Sequence, residues 1–498
     1  MRGPDGTAGL GRPGGGPGVS SGPRMVFSSV TFLFFFLPIV LGAYYLVPRP
    51  GRNAVLVLAS LAFYTWGAGS IVFALIGSVA ANYVIGLRLE QARDRGDARA
   101  ARRWLALGVI VNVVLLGWFK YANFGVATWN GALAAFGAPG LPWAAIVLPI
   151  GISFYTFHAL SYLMDIQRGS ARHLASPIDF VLYITFFPQL IAGPIVRFHE
   201  IREQLVARRE TVDAFAAGVY RFSLGLGKKV LVADAVAPIA NAMFATPTAE
   251  LTTFPAIVGV VAYAVQLYFD FSGYSDMALG LALMFGIRLP ENFNRPYASR
   301  SVTEFWRRWH MSLSRWFRDY LYVPLGGNRG TSRETYRNLV IVFLITGLWH
   351  GANWTFILWG GYHGVLLLLE RVTGAGRGSG TRPAPWQAVT VVLVVLGWVL
   401  FRSPTLDHAA GYYAALLRPG LTLPLAARVA LDPIATLCLL FGIGSVLLPR
   451  TWVTGVRLEN PLAWTNRVLR VVVVGLVLPV ALVFVIAGTF SPFLYFQF

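Results

Sequence analysis

Apolar stretches approaching bilayer length recur from one end of this chain to the other, and they constrain its fold more than any motif does. Val30–Val47, Ala54–Phe63, Ile71–Leu87, Trp104–Trp118, Ala144–Leu163, Phe180–Ile195, Phe254–Phe269, Leu339–Trp349, Val389–Phe401, Leu437–Leu448 and Val468–Ala487 are such runs. Of the 498 residues 56% are hydrophobic and only 13% are charged, too few to cover a soluble surface. A helical span needs ~20 apolar residues, so the expectation is an all-α polytopic transmembrane bundle. It should have roughly ten to twelve spans, some of them short, re-entrant or interfacial. No segment alternates polar and apolar residues in the way a transmembrane barrel requires.

The formal net charge is +19, and its placement carries topology. Arg88, Arg93, Arg95, Arg99, Arg102 and Arg103 crowd one loop, and Arg197, Arg202, Arg208 and Arg209 another. Arg221, Lys228 and Lys229 follow, and a larger cluster runs from Arg295 to Arg337. The positive-inside rule puts these loops in the cytoplasm. There they meet anionic lipid, and they also suit an acidic cytosolic donor or carrier. No nucleic-acid-binding motif accompanies the charge. The single cysteine, Cys438, lies in an apolar run and reads as a buried structural thiol.

Residues 1–24 are Gly/Pro-rich and cannot pack, so they read as a disordered leader, with translation expected to begin at Met25. The nearly uncharged start after Met25 then faces outward, and the first helix runs inward toward Arg49 and Arg52. Two more helices return the chain to the Arg88–Arg103 loop. No internal repeat is visible, and residues 25–498 read as one membrane domain. Arg371–Pro385 should be a flexible loop. The stretch Arg295–Arg337 is aromatic and arginine-rich without a clean apolar span. It suits the membrane interface or a half-buried helix pair with a turn at Pro324–Asn328, lining a cytoplasmic-side funnel.

Two histidines stand in this apolar setting: His310, after Phe305-Trp306-Arg307-Arg308-Trp309, and His350, in Gly347-Leu348-Trp349-His350-Gly351-Ala352-Asn353-Trp354. Ionisable groups at membrane depth are expensive and usually functional. A neutral, desolvated imidazole can take a proton from a hydroxyl. Asn353, three residues after His350, would share its face if the helix continued, and could orient a carbonyl or the ring. His363 has a weaker case and reads as structural. His158 and His199 read as structural or interfacial, and His173 and His408 as loop residues. Asp165, Asp270 and Asp276 must be paired or protonated if buried. They would orient a histidine, pair with an arginine of the 295–318 cluster, or form a proton path. Phosphate-cradling loops, Gly-x-Ser-x-Gly, His-Glu-x-x-His and multi-histidine metal clusters are missing from the sequence.

Four segments resemble the membrane-bound O-acyltransferase family, in its alginate O-acetyltransferase-like branch. They are Trp349-His350-Gly-Ala-Asn-Trp through His363-Gly, Phe305-Trp306-Arg-Arg-Trp309-His310-Met-Ser-Leu-Ser314, Tyr322-Val-Pro-Leu-Gly-Gly-Asn-Arg329-Gly and Phe187-Pro-Gln-Leu-Ile-Ala-Gly-Pro194-Ile. Similarity extends to Leu116-Gly-Trp-Phe-Lys120-Tyr-Ala-Asn-Phe, Pro149-Ile-Gly-Ile-Ser-Phe-Tyr-Thr-Phe and the closing Tyr495-Phe-Gln-Phe. The resemblance implies helices around a central tunnel in a multi-pass plasma-membrane protein, with His350 as the signature histidine and His310 as the second. It implies acyl transfer from a cytosolic thioester, acetyl-CoA or a carrier-bound acyl group, with no bound cofactor or metal. The acceptor would be a hydroxyl of an extracytoplasmic polysaccharide, or a periplasmic or extracellular acetyltransferase partner. On that scheme His350 acts as base or positions the thioester, and His310 orients or stabilises charge. Asn353, Trp349, Trp306, Arg307, Arg308, Arg315 and Lys120 are candidate substrate or donor contacts. D-alanyl transfer to teichoic acid, a proton-coupled glycan or lipid exporter and a non-enzymatic scaffold are the competing readings.

Overall fold

The computed structural model describes residues 25–374, 383, 385–445 and 464–488, and among these it is helical, with no strand. The expected leader, most of the Arg371–Pro385 loop, the end of the Leu437–Leu448 run and the closing Tyr495–Phe498 lie outside the described residues. Helix α1 spans Leu37–Leu46, α2 Arg52–Ala68, α3 Val72–Asp94 and α4 Ala98–Ala135. The α3–α4 turn is the first arginine cluster, and Asp97 caps α4 by accepting from the Ala100 N–H at 2.9 Å. Then come α5 Ile152–Arg168, α6 Pro177–Thr185, α7 Phe187–Leu190, α8 Phe198–Val206, α9 Val212–Gly227, α10 Asp234–Ala245 and α11 Thr253–Met284. A long loop leads to α12 Val302–Arg308 and α13 Met311–Phe317. Helices α14 Ser332–His350, α15 Trp354–Val372, α16 Pro385–Arg402, α17 Leu406–Leu416, α18 Leu425–Ala430 and α19 Pro433–Gly444 follow.

Five helical runs among the described residues are long and apolar enough to cross a bilayer: Arg49–Asp94, Ala98–Ala135, Thr253–Met284, Pro385–Arg402 and Arg467–Ile486. Phe32–Leu46 and Pro433–Gly444 are shorter apolar helices. Their surroundings differ sharply. Of the apolar window in α11 78% is buried in protein, against 11% for α4. Helix α11 is therefore the central post, packed by α9, α10, α16, α17 and α19, while α4 lies at the periphery with Ile110, Val113, Val114 and Trp118 exposed.

The apolar window Phe180–Ile195 is not a span. Helix α6 stops at Phe186, Pro188 opens the single turn of α7, and the chain then leaves helical geometry through Gly193-Pro194. Residues 186–196 are buried throughout. Broken backbone at this depth is tolerated because protein covers it. The Arg295–Arg337 stretch resolves into the helix pair α12–α13 and a turn at Val323–Asn328. Its tryptophans are not an interfacial belt: Trp306, Trp309 and Trp316 are core residues.

Glycine sets the crossing of α9 and α11. A Cβ on Gly225 would lie 2.5 Å from the Gly273 carbonyl oxygen and 2.6 Å from the Met277 nitrogen. One turn pair further along, a Cβ on Gly280 would meet the Phe222 nitrogen at 2.5 Å. The obstacles are backbone atoms, which cannot swing aside. Small residues allow this approach between membrane helices. Gly225→Val is expected to lower stability by about 1–3 kcal/mol, the usual cost of overpacking. A thermal melt of the detergent-solubilised protein checks it, and an unchanged midpoint would contradict this crossing.

Candidate active site

His350 is the last residue of α14, and the geometry of that helix end is built by three other elements. Gly347 of α14 packs backbone to backbone against Gly360 of α15, which brings Trp359 beside the imidazole. The His350 ring is buried between Trp349, Trp359 and Phe401, with centroids at 4.8, 5.0 and 5.3 Å. The last carbonyls of a helix lack intrahelical partners. Here Tyr121 donates to the Leu348 carbonyl at 3.0 Å, and the Lys120 ammonium donates to the Trp349 carbonyl and reaches the His350 carbonyl at 3.4 Å. Lys120, a candidate donor contact on sequence grounds, thus caps α14, with its ammonium over the Trp349 ring at 5.7 Å.

Trp349 joins the two histidines. Its ring stacks on Phe157 at 5.2 Å, lies 6.2 Å from the His310 ring and 4.8 Å from the His350 ring. His350 is within electrostatic reach of both His310 and Lys120. The structure therefore brings His310, His350 and Trp349 together from segments forty residues apart in sequence.

His310 occupies the junction of α12 and α13 in left-handed backbone geometry, φ 44° and ψ 54°. Only Arg295 shares a positive φ among the described non-glycine residues. Its ring is wholly buried, packed edge-on against Phe271 of α11 at 4.7 Å. Nδ1 lies 3.2 Å from Asn292 Oδ1, and Nε2 has no hydrogen-bond partner among the described residues. Asn292 belongs to the loop between α11 and α12. Sequence reasoning passed it over, although two amides flanking Phe293, Asn292 and Asn294, in a stretch that is not a span were the available signal.

The other candidates separate. Asn353 does not share a helical face with His350, because α14 ends at His350 and Gly351 is extended. It caps the next helix instead, accepting from the Thr355 N–H at 3.1 Å and donating to the Pro404 carbonyl at 2.9 Å. Trp306 contacts His363 at 5.1 Å and Trp359 at 5.6 Å rather than either histidine of the pair. His363 is wholly buried in that aromatic box, and neither ring nitrogen has a partner among the described residues. Arg307 is exposed, Arg308 pairs with Glu304, and Arg315 donates to the Glu291 carbonyl at 3.1 Å.

The buried acids find lysines rather than the 295–318 arginines. Asp276 pairs with Lys228 and Arg221, both at 2.7 Å, and Lys229 bridges Asp234 and Asp270 at 2.7 and 2.9 Å. Asp165 does orient a histidine, but it is His199, whose Nδ1 lies 2.9 Å from Oδ2 while Tyr320 donates to Oδ1 at 2.7 Å. That carboxylate raises the His199 imidazole above its ordinary pKa. His158 accepts from the Val196 N–H at 3.3 Å, and His408 lies in the first turn of α17 rather than in a loop. Cys438 is only partly buried, with Sγ near the Leu231 carbonyl.

Known proteins carry the same arrangement of sequence. Residues 78–402 match the model of the MBOAT, membrane-bound O-acyltransferase, family. The "Probable alginate O-acetylase AlgI" of Azotobacter vinelandii is 50% identical over 80% of this chain and 79% of its own length. The protein of the same name in Pseudomonas putida is 44% identical over 95% of this chain and all of its own. The peptidoglycan O-acetyltransferase of Helicobacter pylori is 38% identical over 77% of this chain and 78% of its own length. With two buried histidines brought together at the end of α14 and a family match across most of its length, this multi-pass membrane chain belongs to the membrane-bound O-acyltransferase family.

Proposed function

We propose that this O-acyltransferase moves an acetyl group from a cytosolic thioester to a hydroxyl of an extracytoplasmic polysaccharide, as the relatives named for alginate and peptidoglycan acetylation suggest. The donor is acetyl-CoA or an acylated carrier. The acceptor is the glycan itself or a partner acetyltransferase outside the plasma membrane that completes the transfer. On this reading the ten to twelve spans and short helices enclose a tunnel, with the donor entering from the basic cytoplasmic side.

The observation that carries the proposal is the convergence of His310, His350 and Trp349 at the capped end of α14. Lys120 lies 22 residues into α4, about 33 Å from the basic α3–α4 turn at 1.5 Å per residue. His350, whose carbonyl it reaches, is therefore about one hydrocarbon core, ~30 Å, along α4 from that turn, whereas His310 lies beside Arg307 and Arg308 of the third basic cluster. A site there can receive a thioester from one side and an alcohol from the other. One imidazole takes the hydroxyl proton while the other holds the thioester, in surroundings from which bulk water is excluded.

The test is transfer of label. Membrane vesicles containing the full chain receive acetyl-labelled acetyl-CoA on the cytoplasmic face and polysaccharide on the other. Label on the polysaccharide is the expected result. Polysaccharide crossing the membrane without acetyl consumption would identify an exporter, and transfer from a D-alanyl carrier in place of acetyl-CoA would identify the teichoic acid reaction.

A further inference from the structure

The neighbours of His310 determine where its proton sits. Ser312 donates its backbone N–H to Asn292 Oδ1 at 3.2 Å. The Ser312 hydroxyl accepts from the Ile195 N–H at 3.0 Å and donates to Asn292 Oδ1 at 2.9 Å. Two donors therefore converge on one end of the amide, and the backbone N–H among them can only donate. Only a carbonyl oxygen satisfies them, since an NH₂ group there would set hydrogens against hydrogens. The third neighbour, His310 Nδ1 at 3.2 Å, must then be a donor too. A neutral imidazole carries one N–H. With that hydrogen on Nδ1, the lone pair is on Nε2, the atom that has no partner among the described residues.

The same loop holds the strained backbone. The Met311 N–H donates to the Asn292 carbonyl at 2.8 Å, and the Asn294 N–H donates to the Arg308 carbonyl at 2.9 Å. Left-handed geometry is strained in a residue with a side chain and persists where the surroundings over-determine it. Here they do so at a histidine whose ring is fully buried.

We propose that Asn292 is a positioning residue for the transfer: it holds His310 as the Nδ1–H tautomer, so that Nε2 is the atom that accepts the hydroxyl proton. The inference rests on the reading of His310 and His350 as the transfer site, and it reverses the division of labour expected from sequence. The acceptor oxygen bonds the acyl carbon, the C–S bond breaks, and the proton taken by Nε2 leaves on the departing sulfur as a free thiol. The titratable groups facing His310 are His350 on α14 and, behind it, Lys120 on α4. Phe271 on α11 and Ser312 on α13 carry no charge.

The experiment compares initial rates of acetyl transfer in vesicles of the full chain across pH, for Asn292→Asp, Asn292→Ala and His310→Ala. Asn292→Asp keeps the acceptor atom but adds a carboxylate beside the imidazole. It should fold, and the acid limb of its rate profile should move up by about one pH unit or more, as an adjacent opposite charge does. Asn292→Ala frees the tautomer and should lower kcat by about 10²-fold with KM within twofold, the lower end of what general-base help is worth. An unmoved acid limb in folded Asn292→Asp, no recovery of its rate by pH 9.5, or failure of both Asn292 variants to fold assigns Asn292 to structure and overturns the inference. Wild-type kinetics in Asn292→Ala overturn it as well. A fully active His310→Ala instead removes the reading of the site, whatever the Asn292 variants do.

Discussion

His350→Ala is expected to abolish acetyl transfer while leaving the protein inserted and folded. The ring touches Trp349, Trp359 and Phe401 through faces and edges, and alanine removes it from the end of α14 rather than from its middle. The cap at that end uses backbone carbonyls, which the substitution keeps. Loss of a positioned proton-transfer or thioester-holding group should cost ~10²–10⁴-fold in rate. Labelled acetyl transfer in vesicles measures it, with thermal stability of the solubilised protein as control. A variant within threefold of the wild-type rate would remove His350 from the chemistry. A dead variant that is also unfolded would show the ring to be structural.

Lys229→Ala should be the most damaging substitution for stability among those that touch neither histidine. The ammonium lies between Asp234 and Asp270, and all three side chains are almost wholly enclosed. Removing one member of a buried ion pair leaves uncompensated charge and typically costs 3–5 kcal/mol. Two carboxylates face that loss here, so the expectation is the upper end of the range or failure to accumulate folded protein. The triple substitution Lys229→Met, Asp234→Leu, Asp270→Leu should recover much of the loss, because replacing a whole buried cluster by apolar residues is often close to neutral. A Lys229→Ala protein that melts at the wild-type temperature would show that the cluster is hydrated. It would also restore the proton-path reading of Asp270.

Sequence periodicity and charge made the membrane class, the all-helical fold and the arginine-rich turn at α3–α4 readable, because each depends on local composition. The histidine pair was readable because imidazole in an apolar run is chemically conspicuous. Where the reading failed, the failures share a cause. Hydropathy reports that a segment is buried, not whether lipid or protein buries it. Phe180–Ile195 therefore reads as a span by hydropathy, although Pro188 and Gly193-Pro194 break it inside the protein. Charge pairing has no sequence spacing: Asp276 meets Lys228 across 48 residues and Asp165 meets His199 across 34. Asn353 was placed by helical arithmetic on a helix that stops three residues earlier. The cap that Lys120 makes on α14 was not legible, because its partner at a helix end is a carbonyl, which every residue possesses and no sequence marks.

Local chemistry along the chain thus settled the solvent this protein folds in and the kind of side chain able to move a proton within it. Which imidazole nitrogen holds that proton, which cation caps the helix beneath it and which acids neutralise the buried lysines came from contacts between distant segments. Hydrogen-bond direction and charge compensation act over a few ångströms in space, and until the helices pack those distances do not exist.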